Sequence, residues 1–385
     1  MKVIIDKKKT MPPKNVKILF FIGRDFLNPY IAGGDIYCNV LAKKLIAKGY
    51  KVYIIAHGFH NAKPIALNNG IIIFRVRGLF SPLRAFKLYL RYFYRNVDIV
   101  VEDVIGGRRL PYFTRLYVRE NLFAIWHQRN KSIFFAQYNF LIASLLVLLE
   151  YLLVAIYKAT PIIVPSLRSA FDLSRLGFRN IKVVYPVIDF RCSSNMPYSE
   201  RDLILFIGVL RKYKCPHHII QAFKLVNSRL SSYRLVIAGR ISDFDKKYVK
   251  YLISLIKKLK LTKRVFLEIN ITQPRKEELI KRALCLVVPS PIEGFSMVAI
   301  EAGRCGTPVI ASNGVPEDVV VDMLNGIRYH FGDINELAEK IYKLTTNRDL
   351  WQKLSQNSIR WSYKFREEDS IEKLERIFKE MFHVK

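Results

Sequence analysis

Residues Pro289 to Glu317, PSPIEGFSMVAIEAGRCGTPVIASNGVPE, constrain the fold of this chain more than any other stretch. The apolar run Leu286-Val287-Val288 just before them has the character of a buried strand that ends where the turn residues begin. Ser296 to Arg304 then reads as a helix, Gly306-Thr307-Pro308 breaks it, and Val309-Ile310-Ala311 reads as the next strand. A strand, loop, helix, strand unit of this kind places Glu293, Gly294 and the helix N-terminus at the carboxyl edge of a parallel sheet. Open α/β sheets bind their ligands at that edge.

The amides at a helix N-terminus attract anions, phosphate above all. Two carboxylates cannot hold phosphate themselves, so Glu293 and Glu301 must each serve something on either side of it. Glu301, five residues beyond Ser296, lies roughly 7–8 Å along the axis at about 1.5 Å per residue, the reach of a diphosphate. One carboxylate would accept hydrogen bonds from a ribose diol and the other from a sugar hydroxyl. Two solvated glutamates on an ordinary helix are the bland alternative. The ordered context, with Gly294-Phe295, Gly306-Thr307-Pro308 and Gly314-x-x-Glu317 in sequence, argues against it.

Glu293-x7-Glu301 within PSPIEGFSMVAIEAGRCGTPVIAS resembles the signature of the retaining, GT-B-fold glycosyltransferases of family 4. The resemblance runs in register from about Val16 to Lys343. Ser296 stands where that family often has glycine, although serine still offers a backbone amide.

A chain of 385 residues is long enough for two domains. Its net charge of +31 is unusual for a globular protein. Residues 1–190 hold 29 Lys and Arg against 10 Asp and Glu, a net +19. The remainder holds 34 against 22, a net +12. Such an excess implies an anionic partner: a membrane surface, a nucleic acid or a phosphorylated substrate. The five cysteines (38, 192, 215, 285 and 305) form no CxxC and read as reduced, cytosolic and mostly buried. MKVIIDKKKT lacks the apolar core of a signal peptide, and residues 1–14 read as a basic tail.

From Val16 the pattern alternates. Val16–Ile22 is a strand, Gly33-Gly34 precedes a helix from Asp35 to Lys48, and Val52–Ala56 and Ile71–Val76 are further strands. This rhythm predicts a doubly wound parallel sheet. Gly33 and Gly34 fit either a plain helix-start turn or a close backbone approach to donor phosphate or acceptor; the resemblance favours the second. GxGxxG is absent, which argues against a dinucleotide oxidoreductase. Ser81-Pro82 reads as the N-cap and first-turn pair of a helix. The helix after it carries Leu83, Phe86, Leu90 and Phe93 on one stripe, with Arg84, Lys87, Arg91 and Arg95 elsewhere. It fits a membrane interface or a core-packed helix with a solvated basic face.

Asp98–Val101 and Leu122–Trp126 are strands, and His127 follows the second at its carboxyl end. AIWHQ resembles the family segment whose histidine lines the reacting sugar. His57/His60 and His217/His218 do not assemble a convincing metal set. Phe140 to Tyr157 is an apolar run of 18 residues broken by Glu150, long enough to span a bilayer. A central acid is costly in hydrocarbon, and spanning would part the two halves of a shared cleft, so a buried or membrane-lying helix is expected. Ile162–Pro165 and Ile181–Tyr185 close the first domain.

After a linker at Asp189–Glu200 the rhythm restarts, with strands at Leu203–Ile207, Arg234–Ala238, Val265–Leu267, Leu286–Val288 and Val309–Ala311. FIGVLRKYKCP resembles the family's phosphate-binding loop, in which Gly-Arg is followed five residues later by lysine. Gly208 and Lys214 match, whereas Val209 takes the arginine's place. Either Arg211 reaches in from two residues further on, or Lys214 acts with the helix amides alone. Alternation along an extended backbone favours Arg211. Asp243-Phe244-Asp245 opens a charged helix and reads as capping rather than as a metal-binding Asp-x-Asp.

The resemblance implies a GT-B architecture, two Rossmann-like doubly wound domains facing a cleft. Its divisions are a tail (1–14), an acceptor domain (15–190), a nucleotide-sugar domain (200–365) and a C-terminal helix (366–385) crossing back. It implies a retaining, metal-independent hexosyltransferase using a UDP- or GDP-sugar, with no cofactor. Catalysis would fall to His127, Glu293 and Lys214. Gly33, Gly34, Gly208, Arg211, Lys214, Glu293, Gly294, Phe295, Ser296 and Glu301 would bind the donor. A lipid-linked or glycan acceptor of cell-envelope glycan biosynthesis is expected, with the protein peripheral to the cytoplasmic membrane. The alternatives are a catalytically silent nucleotide-sugar binder or a basic nucleic-acid binder. The spread of the basic residues over many helices argues against the latter.

Overall fold

The computed structural model describes residues 15–104, 110–193, 196–241 and 245–382, so the expected tail at 1–14 lies outside the described residues. The first part of the chain runs β1 (Lys17–Ile22), α1 (Gly33–Ala47), β2 (Lys51–His57), β3 (Ile65–Asn68), β4 (Ile71–Val76), α2 (Ser81–Tyr92), β5 (Ile99–Asp103), β6 (Asn121–Ile125), α3 (Lys131–Gln137), α4 (Phe140–Tyr157), β7 (Ile162–Val164), α5 (Leu167–Ser174) and β8 (Ile181–Val183). There follow β9 (Leu203–Val209), α6 (Pro216–Val226), β10 (Arg234–Arg240), α7 (Lys246–Lys258), β11 (Val265–Ile269), α8 (Gln273–Arg282), β12 (Ala283–Val288), α9 (Met297–Arg304), β13 (Val309–Ser312), β14 (Gly326–Tyr329), α10 (Ile334–Thr346), α11 (Arg348–Ser362) and α12 (Glu367–Phe382).

The strands form two sheets, ordered β3-β4-β2-β1-β5-β6-β7-β8 and β11-β10-β9-β12-β13-β14. Pairing is parallel from β4 through β7 and throughout the second sheet, whereas β3–β4 is an antiparallel edge that the sequence does not announce. In the second sheet β9 shows why the strands are nearly continuous apolar runs. Ile204 and Phe206 enter one core beside α6, α7, α10 and α11, while Leu203 and Leu205 enter another beside α8 and α9. A parallel strand covered on both faces has no polar side to show.

Packing divides the chain into two compact units that do not follow the sequence cut at 190–200. One comprises the described residues up to Trp126, Ala159–Ile163 and the chain from Ile371; the other comprises His127–Lys158 and Val164–Ser370. Helices α3, α4 and α5 therefore pack with the second unit, although they precede the linker. The last part of α12 packs with the first unit, where the buried Phe378 lies 5.0 Å from the Phe123 ring.

Three local expectations are corrected. In α2 the N-cap is Phe80 rather than Ser81, and the buried face is Ser81, Ala85 and Tyr89. Leu83 and Leu90 are about half exposed, so of the expected stripe only the buried Phe93, and Phe86, which packs on Tyr117, face inward. Tyr89 wins that face because its ring packs against Tyr117 and its hydroxyl reaches Glu120. The thiols are not all free: Cys192 and Cys305 form a disulfide, and Cys38, Cys215 and Cys285 are free and buried. Their separation of 113 residues hides that pairing from a reading by local spacing.

Candidate active site

In the second sheet β9, β10 and β11 run outward in one direction, while β12, β13 and β14 run outward in the other. The order reverses between β9 and β12. In doubly wound folds the crevice beyond the carboxyl ends of two such strands receives the ligand. Lys214 follows β9 and Glu293 follows β12. Across this switch point Lys214 Nζ donates to Glu293 Oε1 at 2.6 Å, with the side chains 20% and 11% exposed. Burial alone would lower the lysine's pKa, but the carboxylate outweighs it and the net shift is upward. The ammonium stays charged.

The loop holding Glu293 is fixed by backbone contacts. Glu293 N–H donates to the Gly314 carbonyl at 3.0 Å. Gly294 is required by crowding, because a Cβ there would lie 2.6 Å from the His127 carbonyl oxygen. Ser169 Oγ, in the first turn of α5, donates to that carbonyl at 2.7 Å and to the Gly294 carbonyl at 3.3 Å. The second unit thus holds the His127 and Gly294 backbones against each other. Phe295 is buried beside Tyr185 and Phe365.

Ser296 is the N-cap of α9 with φ 82° and ψ 71°. The departure from glycine therefore has a backbone consequence: the position is left-handed, where a side chain costs about 1–2 kcal/mol. Ser296→Gly relieves that cost, less the entropy glycine loses on folding. A rise in melting temperature of roughly 2–4 °C is expected, and calorimetry on the purified variant checks it; a lower melting temperature contradicts the assignment.

Glu301, on the second turn of α9, meets Lys276 of α8, with Nζ 2.5 Å from Oε2. The lysine also lies 5.6 Å from the Phe190 ring. No motif marks Lys276 in the sequence, since only the packing of α8 on α9 brings it there. Arg211 follows Val209 as expected, but its Nε lies 3.3 Å from Asp245 Oδ2. Asp245 sits at the N-cap of α7 without making a side-chain cap. Its carboxylate balances Arg211 instead, while Asp243 lies outside the described residues.

Gly208 needs no special space, as a Cβ would meet only the Phe206 ring at 3.2 Å. The constraint falls on its neighbour Gly239, where a Cβ would lie 1.7 Å from the Gly208 carbonyl oxygen. The ligand atoms of Cys215, His217 and His218 lie within 4.8 Å of one another, a grouping the two adjacent histidines do not by themselves announce. Burial pushes the Cys215 thiol up to about 11. Burial, then the neighbouring His218 and Lys212, push His217 down to about 4. The trio is neutral at pH 7, and His217 Nδ1 lies 2.7 Å from the Tyr248 hydroxyl.

In the first unit Gly33 and Gly34 form the first turn of α1 rather than preceding it. That turn follows β1, which with β5 flanks the reversal of strand order in the larger sheet. Asp35 accepts from the Ala32 amide at 2.8 Å and from Arg24 at 3.0 Å. Burial raises its pKa against the pull of Arg24.

Two parallel, doubly wound α/β units of this kind are those of the GT-B fold. The match to solved structures agrees. A sucrose-phosphate synthase from Thermosynechococcus elongatus aligns with TM-score 0.78 and 18% identity over 96% of this chain and 100% of that one. The Anabaena protein HepE, solved with UDP and glucose, aligns with TM-score 0.72 and 17% identity over 96% of this chain and 100% of that one. Residues 193–361 match the model of the family described as glycosyl transferases group 1. An uncharacterised glycosyltransferase of Methanocaldococcus jannaschii is 36% identical over 103 residues, which are 26% of this chain and 29% of that protein. The matched stretch thus spans less than a third of that relative's length.

Proposed function

We propose that the chain is a retaining glycosyltransferase that moves a hexose from a UDP- or GDP-sugar to a lipid-linked or glycan acceptor at the cytoplasmic face of the membrane. The observation that carries this reading is the contact between Lys214 and Glu293. A cation beside a carboxylate suits a ligand in which an anionic diphosphate adjoins a polyhydroxylated ring, and a nucleotide-sugar is that ligand. Lys214 and the amides of α9 would stabilise the departing diphosphate, Glu293 would accept from the transferred sugar, and Glu301 from the ribose. Retention, independence of metal and the place of His127 beside the sugar rest on the resemblance of these motifs to family 4. The HepE structure with UDP and glucose supports the donor class. The net charge of +31 supports a membrane-borne acceptor, and with it the proposal of a place in cell-envelope glycan biosynthesis.

Hydrolysis and transfer assays with labelled nucleotide-sugars test the reading. Glu293→Gln should lower turnover more than nucleotide affinity, because its partner leaves with the product sugar. Glu301→Gln should mainly weaken nucleotide affinity, because the ribose is common to donor and product. Equal affinity of both variants for free nucleoside diphosphate contradicts this division. Donor binding without turnover favours the silent nucleotide-sugar binder.

A further inference from the structure

Helix α4 is long and apolar enough to cross a bilayer, yet only 28% of its residues are buried. One side packs on the protein through Ala143, Glu150, Leu153, Val154 and Tyr157. Glu150, which made a membrane position look costly, is on this inner side, and its Oε1 accepts from the Asn130 amide at 2.7 Å. The outer side presents Leu141, Leu145, Leu148 and Leu152, from 52% to 78% exposed, with Phe140 and Tyr151 beside them. All the ionisable chemistry of the helix except the Tyr151 hydroxyl is turned inward.

The segment of chain that carries this face is basic. Residues 127–185 hold seven Lys and Arg against two acids. Of those two acids, Glu150 is buried and Asp172 pairs with Arg168 at 3.2 Å. Lys131 and Lys158 stand exposed at the two ends of the α3–α4 segment. Arg129 donates to the Tyr151 hydroxyl at 2.8 Å.

We infer that the outer face of α4 lies in the interface of an anionic bilayer, its leucines among the acyl chains and the flanking cations among the headgroups. The charge selects this occupant over a second copy of the chain. A twofold contact would set the same net-positive rim against itself, whereas anionic headgroups neutralise it. The proposal deepens the membrane-face reading above and rests on it only for the acceptor's location. A helix packed along one side, with its acid turned into the protein, lies in the interface rather than crossing it.

The test is flotation of the full chain with vesicles of phosphatidylglycerol and phosphatidylcholine, or of phosphatidylcholine alone, at low salt and at about 1 M salt, where the screening length is about 3 Å. Wild-type protein should float with the anionic vesicles and stay partly bound at high salt. Leu141→Glu/Leu148→Glu should lose the salt-resistant fraction. Reversing Arg84, Lys87 and Arg91 on exposed α2 should reduce only the salt-sensitive fraction. A single Leu148→Trp variant should show fluorescence quenched by brominated lipid. Thermal shift with nucleoside diphosphate, unchanged in the double variant, shows that folding and the donor reading survive. Wild-type protein that never floats, or a Leu148→Trp signal that lipid does not quench, overturns the proposal. So does a double variant that floats like wild type, or one that merely turns a dimer into a monomer.

Discussion

Lys214→Ala should lower transfer turnover on the order of a hundredfold or more, the loss typical of one preorganised charge-stabilising donor. In the proposed reaction the departing diphosphate would gain negative charge near the switch point, and the Lys214 ammonium is held charged there by Glu293. Arg211→Ala should cost less than about tenfold, because its guanidinium already has Asp245 as a partner. Single-turnover measurements on both variants decide the ranking. A larger loss in Arg211→Ala would restore the idea that Arg211 substitutes for the family's arginine, and full activity without Lys214 would remove the charge-stabilisation mechanism.

The second large effect is structural. Gly239→Ala should destabilise the second unit by about 3 kcal/mol or more, because its Cβ would fall 1.7 Å from the Gly208 carbonyl oxygen and must part β9 from β10. Gly208→Ala should cost about 1 kcal/mol or less, since only the Phe206 ring must give way. Denaturant unfolding of both variants reads the difference. Equal costs would mean that the two strands do not approach as described. The effect reaches the site because β9 leads directly into the loop that carries Lys214.

These two glycines show what the sequence could and could not reveal. Gly208 stood out because its motif resembles a phosphate loop, whereas Gly239 carries no motif and its constraint comes from the neighbouring strand. The parallel strands of both sheets were legible because burial on both faces leaves apolar runs, and β3 was missed because its edge position leaves Ile65 and Leu67 exposed. Glu293 and Glu301 were legible from spacing along one loop and helix. Their lysine partners were not equally so: Lys214 belongs to a recognisable loop, while Lys276 reaches Glu301 only through helix packing. Ser296 was seen as a departure, but its cost lies in a backbone angle that only the fold imposes. For α2 and α4 the helices were legible and their faces were not. Tyr89 outcompeted Leu83 and Leu90 for the core, and Glu150 turned inward, each by a tertiary contact.

The central claim, that the second unit holds a nucleotide-sugar through Lys214, Glu293 and Glu301, is tested most directly by thermal melting with UDP, GDP, ADP and their sugars. Saturation at about a hundred times the dissociation constant stabilises by about 2.7 kcal/mol. One nucleotide class should therefore raise the melting temperature by several degrees in wild-type protein, and by much less in Glu301→Gln at the same concentration. No shift with any nucleoside diphosphate or nucleotide-sugar, or an undiminished shift in Glu301→Gln, would contradict it.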